Sequence, residues 1–274
     1  MEYDPIKRRL GKVFNCTPFL RKLFYSLLDL LLLRAWYVHK ELRRLKKSSF
    51  SGKIRILDAG SGFGQYSYRM SRIFSGSLIK GVDVKQEQID DCNRFFASID
   101  LEERVQFEFG DLTKYIEPYS YDLILSVDVM EHIEEDELVF SNFYKSLRKN
   151  GVLLISTPSD QGGSDTHEHE QDQVHGFIDE HVRDGYGIRD ITEKLNRAGF
   201  SEVEARYTYG SPGSLSWKIS MKYPILMLGK SKWIFLLLPF YYLLLFPFCI
   251  LLNFIDVNFR HKTGTGLLVK AIKK

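Results

Sequence analysis

Apolar and polar positions along this chain follow two periods in turn. Tyr121 to Val127 (YDLILSV) and Gly151 to Ser156 (GVLLIS) are near-continuous apolar runs, suited to strands buried on both faces. Ile54, Ile56 and Leu57 supply a further buried strand closed by Asp58, and SLIKGVD gives a short one ending in Asp83. Val105 to Asp111 (VQFEFGD) alternates apolar and polar residues, then stops at Gly110-Asp111. Helical spacing fills the gaps over Gln65 to Phe74, Glu87 to Ile99 and Glu135 to Leu147. Strands alternating with helices predict a mostly parallel sheet with covered faces.

The first of these junctions carries chemistry. Residues 56 to 67 (ILDAGSGFGQYS) form a strand, a glycine turn and a helix start in sequence. Gly60, Gly62 and Gly64 let the backbone turn sharply and approach a ligand with no Cβ in the way. The helix starting near Gln65 points free N–H groups at whatever occupies the turn. A dinucleotide site needs G-x-G-x-x-G, and here the third glycine comes one residue early. A glycine-rich turn with no ligand is the bland alternative.

The pattern D-x-G-x-G-x-G, from Asp58 to Gly64, resembles motif I of the class I S-adenosylmethionine (SAM) methyltransferases. The resemblance covers roughly residues 50 to 210 and the C-terminal strand. It implies that Asp58 serves the methionine amino end, beside Gly60, Gly62, Gly64 and Gln65. Asp83, at the tip of the second strand, would accept both ribose hydroxyls. Asp111 would contact the adenine amino group, although taken alone it reads better as a turn acid at a strand end. The implied fold is α/β: a Rossmann-like, doubly wound, mostly parallel seven-stranded sheet. Its last strand, Gly264 to Lys274, would pair antiparallel with Val203 to Tyr209.

Methyl transfer from SAM is an in-line displacement, so the protein mainly positions the acceptor and handles its proton. Candidates lie past the C-terminal ends of the strands, which singles out Asp128, Glu131 and His132 in VDVMEHI. Asp128 could also border the cofactor. This stretch is similar to one in ubiquinone-biosynthesis O-methyltransferases and small-RNA 2′-O-methyltransferases, where E-x-x-E-H supplies ligands to a divalent cation. Asp128 replaces the first glutamate and shortens its reach. A later histidine could come from DTHEHEQDQVHGFIDEH, which holds His167, His169, His175 and His181. His175 is the preferred partner, as a fourth ligand to the cation or as a general base without one. His132 is the alternative base, because a histidine bound to metal cannot also take the proton. The bland reading, a solvated lid whose histidines meet no metal, stands slightly ahead of the metal site.

Composition changes the picture mainly at the two ends. A net charge of +3 over 274 residues is too small to argue for nucleic acid. Three scattered cysteines, Cys16, Cys92 and Cys249, give neither a disulfide framework nor a zinc site, which fits a reducing cytoplasm. No secretory leader pattern is present. Trp233 to Ile255 holds 23 residues without a charge, long enough to cross a bilayer. A single crossing would strand the last β-strand on the far side from its sheet. Both flanks are basic, with Lys218, Lys222, Lys230 and Lys232 before and Arg260, Lys262, Lys270, Lys273 and Lys274 after. The segment is therefore expected to enter and leave by the cytoplasmic face, monotopic or re-entrant, and to bend at Pro239 and Pro247. A buried hairpin or a contact between copies in a homo-oligomer is the alternative. Phe19 to Leu45 is leucine-rich and helical; Arg21, Lys22, Arg34, Lys40, Arg43 and Arg44 can face headgroups, and Tyr25, Trp36 and Tyr37 suit the interface.

Residues 1–50 then form an amphipathic helical cap, and 51–274 the SAM-binding domain, with 211–262 a membrane-associating insertion. The leading expectation is a membrane-surface SAM methyltransferase acting on a hydroxyl of a lipid-like acceptor. N- or C-methylation of a lipid headgroup or quinone ring is the next reading. An RNA methyltransferase and a non-catalytic SAM-binding scaffold follow. The uncharged insertion speaks against RNA, whose grooves need interleaved basic and aromatic residues.

Overall fold

The computed structural model describes residues 17–50, 52–162, 182–230, 234 and 236–274. Seven strands form one sheet: β1 (Arg55–Ala59), β2 (Leu78–Asp83), β3 (Val105–Phe109), β4 (Tyr121–Val127), β5 (Leu147–Pro158), β6 (Glu202–Thr208) and β7 (Gly266–Ile272). Their order is β3-β2-β1-β4-β5-β7-β6, parallel except for β7, which pairs antiparallel with both β5 and β6. The doubly wound sheet expected from the sequence is therefore present. The strand expected from Gly151 begins earlier, at Leu147. It reaches its straight pairing through an irregular register opposite Tyr121 and Leu123 and a left-handed Asn150 (φ 63°).

Helices cover both faces. The first two, α1 (Pro18–Leu31) and α2 (Leu33–Ser48), precede the sheet; α3 (Gln65–Ile73) follows β1, and α4 (Gln86–Ala97) follows β2. Then come α5 (Asp136–Ser146) after β4 and α6 (Ile188–Ala198) before β6. Successive strand residues point to opposite faces, so Ile56, Leu123, Leu125 and Leu154 meet α2, α3 and α4. Leu57, Ile124, Leu153 and Ile155 meet Phe140 and Phe143 of α5 and Ile191 and Leu195 of α6. Taking each large apolar side chain out of water in this way contributes about 2 kcal/mol of stability.

The N-terminal segment is two helices, not one. Thr17 caps α1 by accepting from Leu20 N at 3.2 Å, and Pro18 suits the first turn, where its missing N–H costs no bond. Leu32 is extended (φ −89°, ψ 111°) and breaks the run. The break lets α2 bury Ala35, Val38 and Leu42 while α1 turns to bury Arg21 and Tyr25 elsewhere.

Between β6 and β7 the chain leaves as a helical pair. One arm is α7 (Ser211–Trp217), a π-helical turn (Lys218–Lys222) and α8 (Tyr223–Lys230); the other is α9 (Leu238–Asn258). The reversal lies before Leu238 and not at the prolines. Pro239 sits in the first turn of α9, and Pro247 is accommodated inside a continuous helix. The hydroxyls of Tyr241 and Tyr242 donate to the carbonyls of Ile219 and Ser220, 2.7 and 2.9 Å away, tying α9 to the π turn. Most of α9 is uncovered: Phe240, Leu243 and Leu244 are 70–78 % exposed.

Candidate active site

The glycine loop forms as its spacing predicts. Gly60 (φ 77°), Gly62 (φ 50°) and Gly64 (φ 80°) are all left-handed, a conformation that side chains with a Cβ resist. A Cβ on Gly60 would stand 2.3 Å from Val129 Cγ2, so the loop passes directly against the segment after β4. Gly60 N and Ser61 N donate to the Val82 carbonyl at 2.8 and 3.1 Å. Gly62 N donates to Asp83 Oδ2 at 2.8 Å, while Asp83 Oδ1 accepts from Lys85 N at 3.0 Å. Asp83 thus braces the loop from the neighbouring strand.

Two acids at the C-terminal ends of β1 and β3 are in contrasting states. Asp58 is buried, and burial pushes its carboxyl up to about 7; Asp83 nearby adds to the rise, and a hydrogen bond from Ser67 Oγ at 2.5 Å opposes it. Asp111 is half-exposed and accepts from the Thr113 hydroxyl and N–H at 2.7 and 3.0 Å, which hold its carboxyl below the usual range. Ser61 Oγ, in the loop itself, is buried with no partner among the described residues. A buried carboxyl held near neutrality, an orphaned hydroxyl and a Cβ-free turn at the C-terminal edge of a parallel sheet fit a cofactor with a cationic amine and sugar hydroxyls.

Helix α1 clamps the loop from above. Arg21 Nη2 and the Tyr25 hydroxyl both donate to the Phe63 carbonyl, at 2.9 and 2.5 Å. Arg21 also pairs with Asp91 at 2.5 Å and lies 4.6 Å from the centre of the Phe95 ring. Gln65 Nε2 donates to Asp29 Oδ1 at 2.8 Å, a third tie between α1 and the loop. Several headgroup assignments from the sequence are therefore corrected. Arg21 and Tyr25 are buried, as is Tyr37, and Lys40 donates to Val257 O and Asn258 Oδ1, both at 2.9 Å. A helical arginine at amphipathic spacing looks the same whether it faces lipid or caps a carbonyl, so no local signal separates the two.

Arg34 is corrected too, and its partner matters. At the end of β4, Asp128 adopts φ 51°, donates its N–H to Ser156 O at 2.9 Å, and pairs its carboxylate with the Arg34 guanidinium. The Arg34 N–H donates to the Tyr209 hydroxyl at 2.9 Å. The Tyr66 hydroxyl, near Arg34 and Tyr209, is buried without a partner among the described residues; burial raises its pKa. Tyr66 and Tyr209 escaped the sequence reading because nothing local marks them.

Glu131 and His132 part company. A 3-10 turn (Met130–His132) buries Glu131, whose Oε2 accepts from Thr157 Oγ1 at 3.0 Å, and leaves His132 exposed. Among the described residues no group of three or more His, Cys, Asp or Glu side chains is arranged to hold a metal. Asp128, Glu131 and His132 do not converge as the cation expectation required. His167, His169, His175 and His181 lie outside the described residues.

Comparisons with known proteins bear directly on this geometry. A family model described as a methyltransferase domain matches residues 50–199. Phosphoethanolamine N-methyltransferase 1 of Zea mays is 30% identical over 158 residues, covering 55% of this chain and 29% of that protein. The mitochondrial ubiquinone biosynthesis O-methyltransferase of Schizosaccharomyces pombe is 30% identical over 116 residues, covering 42% of this chain and 41% of that one. The chain thus spans well under half the length of these curated relatives. Among solved structures, Haemonchus contortus phosphoethanolamine N-methyltransferase 2 in complex with SAM aligns with a TM-score of 0.59 at 20% identity, over 87% of this chain and 52% of that chain. At that identity the likeness speaks for the fold. With the family model matching more than half of its length, the chain belongs to the methyltransferase domain family.

Proposed function

We propose that this methyltransferase works at the cytoplasmic face of a membrane and methylates the polar end of a lipid-like acceptor. One observation carries the reading: the apolar helical pair is rooted at the reaction edge of the sheet. β6 runs parallel to β5, so Thr208 and the start of β7 at Gly266 sit with the C-terminal ends of β1 and β4. Tyr209 then links the root of the pair, through Arg34, to Asp128. Because both arms return to the same paired positions, Thr208 opposite Gly266, the pair enters and leaves by one side. Its exposed leucines and phenylalanines form too large an apolar surface for water alone, and Lys218, Lys222, Arg260 and Lys262 flank it with positive charge.

Within the cleft, Asp58 would hold the amino end of SAM, Asp83 the ribose hydroxyls and Asp111 the adenine amino group, with Gly60 to Gly64 giving the close approach. Bound there, SAM supplies an electrophilic sulfonium methyl. The Arg34–Asp128 pair and the Tyr66 and Tyr209 rings shape the acceptor side. His132, exposed beside the end of β4, would take the proton the acceptor loses, and Glu131 would position that turn through Thr157. The acceptor atom is a hydroxyl oxygen in the first reading. An amine nitrogen is the second, favoured by the recurrence of phosphoethanolamine N-methyltransferases among the relatives. Purified protein given methyl-labelled SAM and a total lipid extract should label lipids, and mass fragmentation of the product distinguishes O-methyl from N-methyl. Label confined to added RNA or protein would overturn the reading.

A further inference from the structure

A second cavity lies between the N-terminal helices, α3 and α9. Its volume is about 520 Å³, and it is lined by Asp29, His39, Lys40, Arg43 and Arg69. Three cationic residues therefore border it against one carboxylate. That carboxylate is engaged by Gln65, and Lys40, held by Val257 O and Asn258 Oδ1, keeps its full charge because both partners are neutral. Arg43 projects to solvent and Arg69 stands 3.8 Å from Asp29. The balance favours an anion.

A separate observation points the same way. His39 is only 4 % exposed, yet its Nε2 has no hydrogen-bond partner among the described residues. It lies 3.4 Å from Asp29 Oδ1 without the alignment of a hydrogen bond. Arg69 Nε is likewise buried and unpartnered. Buried polar atoms are rarely left so in a finished site, and acceptor oxygens entering this cavity would satisfy both.

The rim identifies the source of those oxygens. Leu30 of α1 and Phe254 of α9 border the cavity and are exposed. Leu30 ends a stripe with Phe19, Leu23 and Leu27 along one face of α1, and Phe254 continues the bare face of α9 through Leu251. Cationic walls thus sit between two apolar faces. We propose that this cavity is a subsite for the phosphate of an anionic lipid headgroup, separate from the methyl-accepting cleft. It rests on the membrane reading above, and it adds a lipid preference that apolar contact alone does not give.

Co-sedimentation of the full chain with vesicles tests it, comparing phosphatidylcholine alone with a phosphatidylcholine–phosphatidylglycerol mixture. Wild type should prefer the anionic vesicles. Arg43→Ala, on an exposed helical position, should lower that partition by about five-fold, and adding Lys40→Ala by about as much again. Partition into neutral vesicles and SAM affinity should not move. Equal binding of wild type to both vesicles, or equal loss on both in the variants, overturns the subsite and leaves the membrane reading intact. Failure to bind either vesicle overturns both. Calorimetry with inorganic phosphate separates the sources: tight phosphate binding with no preference for anionic vesicles would overturn the lipid assignment in favour of a soluble phosphate.

Discussion

Asp58 shows how far a residue's chemistry depends on its neighbours. Its folded pKa of about 7 lies above the ordinary carboxylate value of about 3.9. Between those limits the folded protein keeps a proton that the unfolded chain has released. Its contribution to stability therefore falls as pH rises through that window. A cationic amine bound beside it would favour the ionised form. We expect SAM affinity to weaken as pH drops below 7, with a proton released on binding near pH 6. Calorimetry in buffers of different ionisation enthalpy measures both, and Asp58→Asn should flatten the dependence. Gly60→Ala should lose SAM binding and about 1–3 kcal/mol of stability in urea, since its Cβ meets Val129 and its φ is left-handed. These residues were legible because strand, acid and glycines are contiguous. The Arg34–Asp128 pair was not, because its members are joined only by the folding of α2 over the sheet edge.

At the scale of elements, α9 combines a bare face with a firm root. Asp256, fully buried, accepts from the Tyr37 hydroxyl at 2.6 Å and from Gly213 N at 2.8 Å, with His261 Nε2 3.3 Å away. One carboxylate therefore fastens α9 to α2 and to the start of α7. Asp256→Ala would strand the buried Gly213 N–H and leave the Tyr37 hydroxyl only the Asp256 backbone carbonyl, at a cost of about 2 kcal/mol. Denaturant titration should register the loss, and limited proteolysis should cut the helical pair first. Sequence hydropathy found the apolar run but not this anchor. Nor did it reveal the partner arm, where a π turn interrupts α7 and α8. Apolar composition tells that a segment avoids water, whereas its packing partners depend on the register at which distant elements meet.

For the whole molecule, the proposed membrane contact and the glycine loop fall on different elements, so the two can be tested apart. Leu243 and Leu244 are the most exposed leucines of α9, and the glycine loop belongs to another element. Leu243→Glu with Leu244→Glu should move the protein from the membrane to the soluble fraction in flotation assays while leaving SAM affinity unchanged. Retention in the membrane fraction would make the stripe on α1 the principal anchor. The doubly wound architecture was legible because each strand and helix carries its own period. The ties that hold α1 to the glycine loop and α9 to α2 emerged only with the contacts between them.

The clamp on the Phe63 carbonyl has a thermodynamic consequence. One face of α1 holds the cofactor loop through Arg21 and Tyr25, and the opposite face carries Phe19, Leu23, Leu27 and Leu30. If lipid orders this helix, it also orders the loop, and linkage makes the effect mutual: vesicles must tighten SAM by the same factor that SAM tightens vesicles. Measuring SAM affinity with and without vesicles reads that factor directly. The bilayer would then act as an allosteric effector of this enzyme, arming it for catalysis on arrival.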